Sequence, residues 1–110
     1  MADRRLKVTR SSEFERKARG FFPPGGSPDG KPSFELFEKT VLKAVELAFS
    51  RMFDDLPLAK EGLGAIRAVS TQAVPHFPPL VVYGMLVTDA TVDLMDIEVD
   101  EDFWDRLAAD

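Results

Sequence analysis

The chain has 110 residues, of which 45% are hydrophobic, and it contains no cysteine and a single histidine. This composition predicts one folded domain over residues 1–110 and excludes disulfides, thiol catalysis and cysteine-based metal centres. The formal net charge of −5, from 14 basic and 19 acidic residues, disfavours binding of free nucleic acid, because neutralising phosphates needs surplus Lys and Arg.

A strand, a short helix and a loop are predicted first. Residues 6–10 alternate between apolar and polar side chains, which predicts a half-exposed strand. Ser12 and Glu15 fit a capping box, which predicts a helix over residues 13–19 that ends at the following glycine. Residues 21–32 contain four prolines and three glycines and are predicted to form an irregular loop.

The next predicted element is a long amphipathic helix. Apolar side chains recur at helical spacing from Phe34 to Phe53, with Ser33 as the N-cap and an end near Asp55. Strands are then predicted at residues 65–71, at 80–87 and after a hairpin turn at 88–91.

Two details refine the last strands. Residues 80–87 are apolar at nearly every position, which predicts a central strand buried on both faces. The apolar positions of the final strand change face, which predicts a β-bulge near Met95 and Asp96. A last short helix is predicted to bury Phe103, Trp104 and Leu107.

The order of strand, two helices and three consecutive strands predicts an α+β fold. We expect a small antiparallel sheet covered by the long amphipathic helix. The uncharged run at residues 68–88 contains three prolines, so we expect no membrane span and a soluble, cytoplasmic protein.

Charge is distributed unevenly along the chain. Up to Arg19 there are seven basic and three acidic residues, whereas from Asp89 onward there are nine acidic residues and one basic residue. Either the two ends are neighbours in one sheet, or the acidic end contacts a basic partner.

Two patterns resemble ligand sites. Residues 25–31 have the glycine and lysine spacing of a phosphate loop, but Pro32 stands where Ser or Thr would contact magnesium. Carboxylates alternate at Asp96, Glu98, Asp100 and Asp102 without a nearby His or Cys, which favours a solvated acidic edge over a metal site. We therefore predict no cofactor and no metal.

Four short strings follow one another along the chain: TRSSEF at residues 9–14, GLGAIR at 62–67, VVY at 81–83 and DFWD at 102–105. With the predicted elements, their order resembles the RelE/ParE family of bacterial type II toxin–antitoxin toxins. The resemblance implies a compact toxin that a cognate antitoxin protein neutralises. Its target would be DNA gyrase in a ParE-like toxin and mRNA on the ribosome in a RelE-like endonuclease.

Candidate catalytic residues exist only under the nuclease interpretation. Arg67 matches the second-strand arginine of the family and Tyr83 its third-strand tyrosine, and His76 is the one histidine that could assist. The alternatives are an edge arginine paired with a C-terminal acid, a core tyrosine and a loop histidine without a special role.

The sequence departs from the nuclease pattern in two places. Pro79-Leu80 stand where many members have an arginine, and acidic residues 98–102 stand where nucleases have a basic segment. RNA cleavage needs a base, an acid and cationic stabilisation, and acidic side chains would repel the substrate. We therefore expect a ParE-like toxin that acts by binding protein, with a gyrase-type target. The alternatives are a RelE-like ribosome-dependent mRNA endonuclease and a non-toxic acidic protein-interaction module.

Overall fold

The computed structural model describes residues 5–28, 30–59, 65–74, 77–103 and 105–106. In chain order they form β1 (Lys7–Arg10), α1 (Ser12–Phe21), α2 (Phe34–Lys39), α3 (Val41–Met52), a 3₁₀ turn (Phe53–Asp55), β2 (Ile66–Thr71), β3 (Leu80–Thr88) and β4 (Thr91–Val99). The predicted α+β class and the order of its elements are confirmed.

The four strands form one mixed sheet in the order β1-β4-β3-β2. β3 is antiparallel to both β2 and β4, but β1 lies parallel to β4, with Val8 opposite Val92. The first strand therefore departs from the predicted antiparallel sheet. No hairpin joins β1 to a neighbour, and the helices that follow it carry the chain across the sheet, which is the connection that parallel pairing requires.

The first helix has a different cap from the predicted one. Ser11 rather than Ser12 is the N-cap, and its Oγ accepts a hydrogen bond from the Phe14 N–H at 3.0 Å. The helix also continues through Gly20 to Phe21, so glycine does not end it. Its buried side chains are Phe14 and Ala18, which fasten the helix to the core.

The predicted long helix is divided in two at Thr40. This residue has φ −115° and ψ −86°, outside helical values, and its hydroxyl donates to the Leu36 carbonyl at 2.6 Å. The Thr40 N–H donates to the same carbonyl at 3.1 Å, so this bond of the ladder is kept and the break lies in the backbone angles of Thr40 itself. Residues 53–55 continue as the 3₁₀ turn, so the predicted end near Asp55 is confirmed.

All the helices lie on one face of the sheet, where the core is formed. The largest fully buried side chains are Phe14, Phe22, Phe37, Phe49, Leu42, Leu94, Ile97, Val45, Val82 and Val92. Along β3 the burial alternates, with Val82 fully buried and its neighbours Val81 and Tyr83 half-buried. The prediction that this strand is buried on both faces is therefore wrong, since helices cover only one of them.

The predicted bulge in β4 is confirmed. Tyr83 pairs with Asp96, while the next residue, Gly84, pairs with Leu94, so Met95 is the extra residue of the ladder. The bulge turns Asp96 to the same face as Tyr83. The predicted turn between β3 and β4 is also present, at Asp89 and Ala90.

A polar cluster joins β1 to the three helices. The Arg10 Nε donates to Glu46 Oε2 at 3.0 Å, and its Nη2 donates to Glu46 Oε1 at 3.2 Å. Its Nη1 donates to Glu38 and lies 3.9 Å from Glu15 Oε1. One half-buried arginine thus holds carboxylates from α1, α2 and α3.

After β4 the chain makes a helical turn, in which the Phe103 N–H donates to the Asp100 carbonyl at 3.2 Å. Phe103 is half-buried, while Trp104 and Leu107, which were predicted to be buried with it, lie outside the described residues. None of the helices among the described residues is long and apolar enough to cross a lipid bilayer.

Candidate protein-binding face

One face of the sheet carries no helix in the part of the chain that the structure describes, and we call it the open face. Its central strand, β3, presents the apolar row Val81, Tyr83, Met85 and Val87. The first three are half-buried, and Val87 is 47% exposed. The open face therefore displays apolar side chains along its middle, where a monomer would otherwise place polar ones.

Carboxylates of β4 lie beside this apolar row. Asp93 stands opposite Met85, Asp96 opposite Tyr83 and Glu98 opposite Val81. On the other side, β2 contributes Ile66, Ala68 and Ser70, none of which is charged. The open face thus combines an apolar centre with a negative margin.

The margin keeps most of its negative charge. Asp93 Oδ1 accepts from the Thr9 hydroxyl at 2.8 Å, and Glu98 Oε2 accepts from the Tyr83 hydroxyl at 3.2 Å. Both donors are neutral, so neither cancels the charge of its carboxylate. Only Asp96 forms an ion pair among the described residues of this face, with Lys17 of α1.

The contacts of Lys17 and Thr9 also bear on the uneven charge of the sequence. Both residues belong to the basic first part of the chain, and both bind carboxylates of β4. The two ends of the sequence are therefore neighbours in the fold, which was the first of the two interpretations.

Tyr83 is the chain's single tyrosine, so its ionisation can be followed directly. Burial raises the pKa of the Tyr83 phenol, and the charge of Glu98 and their hydrogen bond raise it further. Because the pKa is higher in the folded than in the unfolded chain, this interaction stabilises the fold below the unfolded pKa and is lost as pH rises through the folded one.

We therefore expect the tyrosinate absorbance of the folded protein to appear at higher pH than in the urea-unfolded chain. Glu98→Gln removes the charge and keeps an acceptor, so it should lower the midpoint without returning it to the unfolded value, because burial of Tyr83 remains. A midpoint that Glu98→Gln leaves unchanged would contradict the contact between Tyr83 and Glu98, and equal midpoints for the folded and unfolded protein would contradict the burial of Tyr83 as well.

Arg67 lies on the opposite face. It pairs with Gly84 in the ladder, and its side chain extends to the helix side of the sheet. Its Nη1 donates to the Leu56 carbonyl at 2.8 Å, and its guanidinium carbon lies 5.6 Å from the centre of the Phe53 ring. Arg67 thus connects β2 to the segment after α3, and it pairs with none of the C-terminal acids that the structure describes.

The nuclease set is therefore not assembled by the described residues. Arg67 and Tyr83 lie on opposite faces of the sheet, so they do not approach a common phosphate. His76 lies outside the described residues. The hydroxyl of Tyr83 points to a carboxylate, which is an unfavourable neighbour for an RNA backbone.

Sequence reasoning missed Met85, Val87 and Asp93 as parts of a surface. The apolar run at residues 80–87 predicts burial on both faces when it is considered without the neighbouring strand. The sequence feature that could have identified this surface is the set of carboxylates at Asp93, Asp96 and Glu98. Carboxylates along one side of a strand predict a face without a covering layer.

A groove of about 360 Å³ lies at one end of the open face, between Ser70, Val81 and Glu98. It continues the apolar row beyond Val81 and gives the face a concave end. Among the described residues no group of three or more histidine, cysteine, aspartate or glutamate side chains is arranged to hold a metal ion.

The face offers an apolar and acidic surface for contact and no assembled set of reacting groups among the described residues. Comparison of the chain with models of protein families and with curated proteins gives no match.

Proposed function

We propose that the chain is the toxin component of a type II toxin–antitoxin system, that it acts by binding a protein of the gyrase type, and that a cognate antitoxin protein neutralises it. The resemblance to RelE/ParE toxins in the order of elements and in the four strings supports the family. The observation that carries the protein-binding mechanism is the apolar row of β3 beside the carboxylates of β4 on the open face.

Each part of this face fits a protein partner. Tyrosine and methionine are enriched in protein interfaces, and Tyr83 and Met85 occupy the middle of the row. A partner with basic side chains around an apolar centre would meet the carboxylates of Asp93 and Glu98 at the margin. The proposed target surface is therefore basic at its rim and apolar in its middle.

The same geometry disfavours the nuclease alternative. A phosphodiester on the open face would lie beside carboxylates and away from the guanidinium of Arg67. Developing negative charge on a phosphorane needs cationic donors directed at it. Of the lysines that the structure describes on this face, Lys17 already pairs with Asp96, and Lys7 lies opposite Thr91 at the β1 edge, away from Tyr83.

The test is expression of the gene alone from a tight inducible promoter, with and without the small gene beside it. We expect growth arrest in the first case, and rescue with copurification of the neighbour's product in the second. If growth is not arrested and no product of the neighbouring gene copurifies, the proposal that the chain is a toxin is refuted. Cleaved transcripts in the arrested cells would replace the protein-binding mechanism with the endonuclease.

A pair of variants separates the open face from the rest of the surface. Met85→Lys places a charge in the apolar row and should weaken target binding by about tenfold or more, as replacing a central interface residue does, so that growth recovers. Leu36→Lys is the control, because Leu36 is 41% exposed on α2, away from the sheet. Equal arrest by both folded variants would rule out the open face as the binding surface.

A further inference from the structure

The outer edge of β1 has unpaired peptide groups beyond Leu6, whose N–H donates to the Ser50 carbonyl of α3 at 2.8 Å. The Lys7 N–H donates to the Ala90 carbonyl at 2.9 Å, and the Ser11 N–H donates to the Leu94 carbonyl at 3.0 Å, so these residues face β4. In a parallel ladder every second residue bonds to the same neighbour, so Thr9 also faces β4 and the residues on either side of it face the other way. The peptide groups of Val8 and Arg10 therefore face away from the sheet, and no backbone hydrogen bond from the described residues reaches them.

A groove of about 280 Å³ lies beside this edge, on its helix side. It is lined by Leu6, Val8, Lys43, Glu46, Leu47 and Ser50. Leu47 of α3 is 44% exposed there, and Leu6 is buried beneath it. The edge thus has a groove beside it in which three apolar side chains, Leu6, Val8 and Leu47, lie among three polar ones.

Positive charge flanks the edge on both sides. Lys7 is exposed and shares the face of its partner Thr91, while Lys43 is exposed on α3. Neither lysine forms an ion pair in the described part of the chain, whereas Glu46, the acid in the groove, is already bound by Arg10. A strand added here would have a lysine near each of its faces.

We propose that the outer edge of β1 receives an extended segment of a partner protein in which apolar and acidic side chains alternate. Strand addition takes its affinity from main-chain hydrogen bonds and its specificity from pockets for alternate side chains. The apolar residues of the segment enter the groove beside Leu47, and its acidic residues lie beside Lys7. This interface is centred on the edge strand β1 and not on β3, and it stands whether or not the chain is a toxin.

β4, which already pairs with β1, shows which pattern of side chains fits beside β1. In β4, Val92 and Leu94 face the helices and are fully buried, while Asp93 faces the other way and accepts from Thr9. The incoming segment repeats this pattern of apolar and acidic residues on the other edge. β1 is then the centre of two similar ladders.

A second copy of the chain is a poorer occupant. Antiparallel pairing of two β1 strands would place Lys7 of both copies on the same face of the extended sheet, and like charges on paired strands are destabilising. An acidic segment has the opposite charge, so the flanking lysines favour it.

The probe is a short capped peptide in which valine and aspartate alternate, added to the isotope-labelled full chain and followed by NMR. We expect the amides of Val8 and Arg10 to shift and to exchange more slowly with solvent, while those of Lys7 and Thr9, already bonded to β4, change little. A peptide of alternating valine and lysine should bind about tenfold more weakly, because it brings like charge to the lysines.

Two variants make the test specific. Leu47→Asp should weaken peptide binding by about tenfold, because it removes the apolar wall of the groove, and Leu36→Asp, a matched exposed leucine on α2, should leave it unchanged. Unchanged Val8 and Arg10 amides at saturating peptide, or equal effects of the two variants, would overturn the proposal. Protection of these amides that rises with protein concentration without peptide would assign the edge to a second copy instead.

Discussion

Replacing Gly84 with alanine is expected to lower the free energy of unfolding by about 2–3 kcal/mol, as overpacking of a core does. A Cβ at this position would lie 2.7 Å from Cε1 of Phe49 and 2.9 Å from Cγ1 of Val92. Both side chains are fully buried, so neither can move without displacing its own neighbours. The absence of a side chain at Gly84 is therefore what lets α3 approach the sheet at the bulge.

The matched control is Gly20→Ala, in α1. A Cβ there meets no atom within 4 Å, and alanine favours a helix over glycine by up to about 1 kcal/mol. Urea unfolding followed by circular dichroism should therefore show that Gly84→Ala is less stable than the wild type. Gly20→Ala should be at least as stable as the wild type. If Gly84→Ala were as stable as Gly20→Ala, this would contradict the close contact between Phe49 and β3.

The second large effect is expected from Arg10→Met, which should lower the free energy of unfolding by about 1–3 kcal/mol. The arginine side chain is 21% exposed and that of Glu46 is 25% exposed. Hydrogen bonds to Glu46 raise the pKa of Arg10 despite the opposing effect of burial. Methionine keeps the apolar stem but leaves three carboxylates facing one another without a cation.

The loss should be partly reversed by adding Glu46→Gln to Arg10→Met, because one of the unpaired charges is then removed. Arg16→Met is the control, since Arg16 pairs with Glu13 at an exposed site and we expect little change there. Chemical denaturation of the four proteins measures both effects. A double variant no more stable than Arg10→Met would show that repulsion among the carboxylates is not the cause.

Local patterns in the sequence were sufficient for most of the secondary structure. The alternation at residues 6–10, the apolar run at 80–87 and the change of face near Met95 each predict an element that the structure contains. The break at Thr40 could not be predicted in this way, because the apolar spacing continues through it while the backbone angles of one residue leave the helical range. The parallel pairing of β1 is decided by the path of the helices, which is not a local property of the strand.

The candidate site shows a different limit. Alternation along β2 and β3 places residues on two faces within each strand, but it does not say which residues of the two strands stand opposite each other. That register puts Arg67 beside Gly84 and so on the face that does not carry Tyr83. A shift of one residue would have brought Arg67 and Tyr83 together, so the sequence alone leaves a catalytic pair and a separated pair equally possible.

The pairing of the first strand with the last also determines when the molecule can fold. The hydrogen bond between Thr9 and Asp93 joins residues 84 positions apart, and such non-local pairing slows folding relative to contacts between neighbouring elements. During synthesis β1 and the three helices are complete before β4 has been made. Until then the core lacks Val92 and Leu94, which are fully buried in the folded protein. The nascent chain therefore passes through a stage with exposed apolar surface, in which chaperone binding and aggregation compete with folding.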